Sequence, residues 1–148
     1  METAKPKKTS FINGAIASEF IGNAIAKHQS ETTIGAHNIF LGQVRADEIE
    51  GKTVVAIEYS AYNEMAEEIF HEIREAAFDK YDLTCMHIYH SIGIVKTGEI
   101  CLFVFVSAPR RKEVFSAIEF LVEAIKEKAP VFGKEILEDE TYTWKINR

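Results

Sequence analysis

The residues best suited to chemistry are cations, and most of them fall in one stretch, residues 100–135. An apolar run ends at Ser107 and is followed by the turn Ala108-Pro109-Arg110-Arg111. A long amphipathic segment then closes on Lys126-Glu127-Lys128, Pro130 stops it, and Lys134 comes soon after. Arg45 lies just past the end of a second apolar run. At a strand-to-helix junction the free backbone N–H groups and the helix dipole favour an anion. A guanidinium adds two-pronged geometry for phosphate or carboxylate. Lys126 has two readings. At about 100° per residue, the apolar face of its helix centres on Val114, Ile118, Leu121 and Ile125, and Lys126 falls at the edge of that face. A lysine there either snorkels and complements the helix terminus, or has a depressed pKa and serves as acid, base or nucleophile.

Other chemistry is weakly supported. His87 and His90 are three apart in a strand pattern, so they point to opposite faces and cannot jointly chelate a metal. Cys85 and His87 share a face, but two candidate ligands make no site. No metal centre is expected. There is no GxSxG, Gly-rich phosphate loop or HExxH. Ser107 has no evident base, and nothing marks Glu58 and Glu135 as an acid/base pair.

These residues must be positioned by a modest chain. Its 148 residues suit one domain with a real core, and 47% hydrophobic with 27% charged residues is an ordinary globular composition. A net charge of −6 argues against general nucleic-acid binding, which needs a basic surface, but not against a local cationic pocket. No window approaches the roughly 18 apolar residues of a membrane span. The polar, basic start lacks the apolar core of a secretory signal, so a cytoplasmic protein is expected. Cys85 and Cys101 read as reduced thiols on strands.

Residues 1–10 read as disordered and residues 11–148 as one domain. Helices are predicted at residues 18–28 (Ser18 as cap), from Asn63 as cap to about Lys80, and at 112–128. The second should bury Met65, Ile69, Ile73, Ala76 and Ala77. Strands are predicted at residues 34–41 and 53–59, as a long-looped hairpin, and at 84–92 and 100–106. A connector then leads to a short strand around residues 141–146. Strands come in adjacent pairs between helices, which gives an α+β fold with a mostly antiparallel or mixed sheet.

Several pieces together resemble the large, catalytic subunit of molybdopterin synthase. Gly35-Ala36, Phe40, Gly42 and Arg45 are similar to that family's GA-x-x-x-F-x-G-x-x-R segment. Glu50-Gly51-Lys52 and Glu58-Tyr59-Ser60-Ala61-Tyr62 resemble its EGK and LEYEAY segments, and Met65-Ala66-Glu67 continues the likeness. His90-Ser91-Ile92-Gly93 resembles H-R-x-G, Thr97-Gly98-Glu99 resembles P-G-E, and Ser107 to Arg110 resembles S-x-H-R. Residues 126–135 resemble K-x-[KR]-x-P-x-W-K-[KR]-E. The likeness spans about residues 34–146, and its specificity lies in the joint order and spacing.

The resemblance implies an α/β hammerhead-like fold and an enzyme that needs no cofactor. It implies sulfur transfer from the C-terminal Gly-Gly thiocarboxylate of a small ubiquitin-like subunit to cyclic pyranopterin monophosphate, forming the molybdopterin dithiolene. The implied assembly is a heterotetramer around a homodimer of large subunits, without nucleic acid or membrane. By position, Lys126 and Lys134 would be catalytic. Arg45, Arg110, Gln43, Val44, Pro109, Gly133 and Glu135 would bind substrate. Two departures stand out. Pro109 occupies the position of the family's histidine, and proline has neither a side-chain donor nor a titratable group. Gly133 occupies the position of a second lysine and carries no charge. Lys134 is expected to compensate. The alternative is an impaired family member that acts as a partner-binding module.

Overall fold

The computed structural model describes residues 9–146. The elements in order are β1 (Phe11–Asn13), α1 (Ser18–His28), β2 (Ala36–Gln43), β3 (Glu48–Ile49), β4 (Lys52–Ala61), α2 (Asn63–Lys80), β5 (Cys85–Lys96), β6 (Ile100–Ala108), α3 (Arg111–Lys128), β7 (Val131–Leu137) and β8 (Tyr142–Trp144). All eight strands join one sheet in the order β2-β6-β5-β4-β7-β8, with β1 beside β5 and β3 beside β4. The pairings are antiparallel except β1 with β5. This is the expected α+β architecture.

The sheet is organised around β6, whose residues from Cys101 to Ala108 are all buried. A strand apolar on both faces must be covered on both. On one face lies the larger core, which gathers Leu102, Val104 and Val106 with Val114, Ala117, Leu121 and Ile125 of α3. On the other, Phe103 and Phe105 pack with Ile16 and with Ile21, Ala24 and Ile25 of α1. His28 of α1 meets His87 of β5 at 3.0 Å between their Nε2 atoms, one ring donating to the other.

Several expectations are corrected. Strands β2 and β4 do not form a hairpin. Both neighbours of β6 are antiparallel to it, β2 on one side and β5 on the other, which encloses the most apolar strand. Residues 131–137 form strand β7 rather than a connector, and β3 lies within the long loop predicted between residues 41 and 53. Ser18 and Asn63 are the first helical residues. The caps are Ala17 and Tyr62, which make no side-chain capping bond. Helix α2 buries Ala66, Phe70, Ile73 and Ala77, leaving Met65 55% exposed. Phe70 draws this register, since its large ring packs 5.7 Å from that of Phe11.

The expected disorder of residues 1–10 falls mainly outside the described residues. Thr9 and Ser10 are placed, and both the Thr9 hydroxyl and the Ser10 N–H donate to Glu67 Oε1.

Candidate active site

Helix α3 packs its apolar face on β6, so its last turn lies over the start of that strand, and Pro130 turns the chain into β7. Two cavities open there. The first, about 350 Å³, is lined by Tyr59, His90, Lys126, Phe132, Gly133, Trp144 and Lys145 among others. The second, about 250 Å³, is lined by Phe40, Gln43, Arg45, Lys126, Glu135 and Lys145 among others. Lys126 and Lys145 line both, so two lysines form the wall between them.

Lys126 is exposed at its rim, yet its pKa lies below that of an ordinary lysine. Desolvation of the ammonium is the main cause, and the charge of Lys145 adds to it. The neighbouring Cys101 and Glu123 act in the opposite direction. Beneath it are polar groups held in the core. His90 is buried, and its Nδ1–H donates to the Ser91 carbonyl at 2.8 Å. Burial, and to a lesser degree the charge of Lys126, bring its pKa down to about 4, so the ring is neutral near pH 7. The Tyr59 ring lies edge-on to His90 at 5.1 Å, and burial drives its phenol pKa well up. Glu135 is also buried, in the wall of the second cavity. Arg45 enters from just beyond β2, where a register shift between Gly42 and Gln43 ends the regular pairing. Its Nε lies 3.1 Å from Asp47 Oδ1, and its Nη2 donates to Oδ2 at 3.2 Å.

Five residues expected from the sequence to form the site border these cavities, from different elements. Lys126 borders both, Arg45, Gln43 and Glu135 the second, and Gly133 the first. Val44 is buried beside them and lines neither; its N–H donates to the Glu99 carbonyl. Pro109 and Arg110 lie at the opposite end of α3, a helix of 18 residues and so about 27 Å long. Within one chain they do not meet Lys126. Lys134 sits on the outer face of β7. Its Nζ is 3.6 Å from Glu58 Oε1 and 4.2 Å from the centre of the Tyr142 ring. Side chains alternate along a strand, so Gly133 and Glu135 face the cavities while Lys134 faces away.

Sequence reasoning missed Lys145, His90, Phe132 and Trp144 as lining residues. Recognising β7 would have found Lys145. Pairing of Lys134 with Trp144 puts the next residues, Gly133 and Lys145, opposite one another. Among the described residues, no group of three or more His, Cys, Asp or Glu could hold a metal ion.

An open, mostly antiparallel sheet backed by three helices, with a cationic wall between two cavities, defines a single-domain α+β protein with an anion-suited cleft. A sequence profile of the MoaE protein family matches residues 16–128, and the chain belongs to that family. A molybdopterin synthase catalytic subunit of Pyrococcus abyssi is 40% identical over 124 residues, covering 84% of this chain and 82% of its own. The Bacillus subtilis catalytic subunit is 36% identical, covering 78% and 73%. The human one is 33% identical, covering 77% of this chain and 60% of its own, so the chain spans about three-fifths of that relative's length. Molybdopterin synthase from Staphylococcus aureus superposes with a TM-score of 0.80 at 29% identity, over 97% of this chain and 100% of the other. The complex of subunits 1 and 2 of the molybdopterin-converting factor from Helicobacter pylori also gives 0.80, at 19% identity over 94% and 90%, a likeness of fold.

Proposed function

We propose that this chain is the catalytic subunit of a molybdopterin synthase, a sulfurtransferase of molybdenum cofactor biosynthesis. It would take sulfur from the thiocarboxylated C-terminus of a small ubiquitin-like subunit and deliver it to cyclic pyranopterin monophosphate. The observation that carries this reading is Lys126, set in the wall between two cavities in a chain of this family. One cavity, rimmed by Phe132 and Trp144, suits an extended peptide tail. The other, with Arg45, suits an anionic substrate.

In each transfer the donor sulfur bonds to a substrate carbon as an oxygen substituent leaves that carbon, and water cleaves the acyl carbon–sulfur bond to return the donor as a carboxylate, so negative charge must be held at the point of exchange. Lys126 is suited to both tasks this requires. As an ammonium it stabilises that charge, and its lowered pKa lets it exchange a proton more readily than an ordinary lysine. Gln43, Arg45 and Glu135 complete the substrate side, while Gly133 leaves the floor open. Arg110 and Pro109 would contribute only from a second copy of the chain, in a homodimer within a heterotetramer. The reading puts the reaction in the cytoplasm, which the free thiols Cys85 and Cys101 support.

The test is reconstituted conversion of the precursor with thiocarboxylated partner. Wild type should form molybdopterin, and Lys126→Ala should lose about 10²–10³-fold in rate while still binding partner. A wild-type chain that binds the partner but yields no product would leave a binding module and overturn the enzymatic reading.

A further inference from the structure

We infer that Lys145 is a substrate-binding lysine of this site, gripping the same anion as Lys126 from the space that Gly133 leaves open. The inference deepens the function proposed above and rests on it for the identity of the anion. It does not rest on it for anion binding itself.

Three observations carry it. First, position: the Lys145 N–H donates to the Gly133 carbonyl at 2.8 Å, so the residue is tied to β7 just beyond β8. Directly opposed residues of an antiparallel pair share a face, which turns Lys145 toward the cavities, as Gly133 is turned. Second, space: a Cβ placed on Gly133 would lie 3.5 Å from Lys145 Cβ, 3.4 Å from Tyr59 Cε1 and 3.0 Å from Ile57 Cγ2. Any longer side chain at 133 would enter the corridor beside Lys145, so the glycine keeps that corridor clear. Third, company: Lys145 and Lys126 are the residues that line both cavities. Two like charges set together in a half-enclosed site repel, and the repulsion contributes to the lowered pKa of Lys126. An anion bound between them converts that repulsion into two charge-assisted hydrogen bonds. Lys134, adjacent in sequence to Gly133, points to the other face, toward Glu58.

The experiment compares wild type, Lys145→Ala, Lys145→Arg, Lys134→Ala and the exchange variant Gly133→Lys/Lys145→Ala, with circular dichroism as the check on folding. Lys80→Ala, on α2, controls for net charge. Inorganic phosphate is titrated calorimetrically, and KM and kcat are measured in the reconstituted conversion. Lys145→Ala should weaken phosphate binding and raise KM by about tenfold each, the loss of one charge-assisted hydrogen bond, with a smaller change in kcat. Lys145→Arg and the exchange variant should recover most of both, because a cation again reaches the divide. The exchange variant needs Ile57 to yield by only a few tenths of an ångström.

Unchanged phosphate binding and KM in folded Lys145→Ala, or a larger loss from Lys134→Ala, would overturn the inference. Failure of wild type to convert the precursor would count against the proposed enzyme alone. The phosphate titration would then still decide the role of Lys145.

Discussion

His90 shows at the scale of one residue how the site's floor depends on pH. Its pKa is about 4 in the folded chain, chiefly because it is buried, against about 6.5 for an exposed histidine. Between those values the unfolded chain binds a proton that the folded chain does not. Stability therefore falls as pH drops from about 6.5 toward 4, by up to roughly 3 kcal/mol. Urea midpoints measured across that range should show the decline. His90→Gln should flatten it while lowering stability at pH 7, where the neutral ring packs between Phe11 and Tyr59. The Lys126 pKa is lowered as well, chiefly by desolvation of its ammonium. Its lowered pKa makes the neutral amine available at lower pH than in an ordinary lysine, so proton-transfer steps through it should accelerate earlier on the alkaline side. Among single residues, Lys126 and Arg45 were legible from the sequence because each stands at the end of a clear apolar pattern. Lys145 carries no such mark. Its role depends on a residue 12 positions away across a hairpin.

At the scale of elements, the sheet was legible where its strands face the core and illegible where they face the cavities. Strand β6 announces itself by continuous apolar residues. Strand β7 does not, because its inward positions include Gly133 and the buried carboxylate of Glu135, which adjoin open space rather than packed side chains. The order of strands around β6 was likewise beyond local pattern, since it depends on which neighbours cover a strand's edges. The junction of β2 with the β6–α3 turn is a place where one atom decides an element's fit. The Gly35 N–H donates to the Ala108 carbonyl at 3.0 Å, and a Cβ on Gly35 would collide with the Pro109 carbonyl oxygen. Backbone cannot yield there as a flexible side chain would. Gly35→Ala should therefore lower unfolding free energy by about 2 kcal/mol or more, read from urea denaturation.

For the whole molecule, the length of α3 divides the cationic stretch that the sequence presents as one unit. Arg110 caps its first turn and Lys126 lies in its last, so a single protomer cannot bring both to one substrate. If both serve the reaction, the dimer must supply them to each site from different chains. Mixing Lys126→Ala with Arg110→Ala protomers should then restore activity to about a quarter of wild type, with one intact site in each mixed dimer and random exchange of protomers. Each variant alone should remain impaired, and an absence of recovery after proven exchange would show that Arg110 acts elsewhere. The fold also sets unequal rigidity around the divide between the cavities. Lys126 rides on a helix packed against the buried strand β6, whereas Lys145 follows β8, three residues that among the described residues pair with β7 alone. In amide hydrogen exchange, β6 should open only with global unfolding and β8 far sooner. A ligand held by both lysines would tie the yielding edge to the rigid one. Slowed exchange of the β8 amides on ligand binding would therefore report closure of the site without any change in the core.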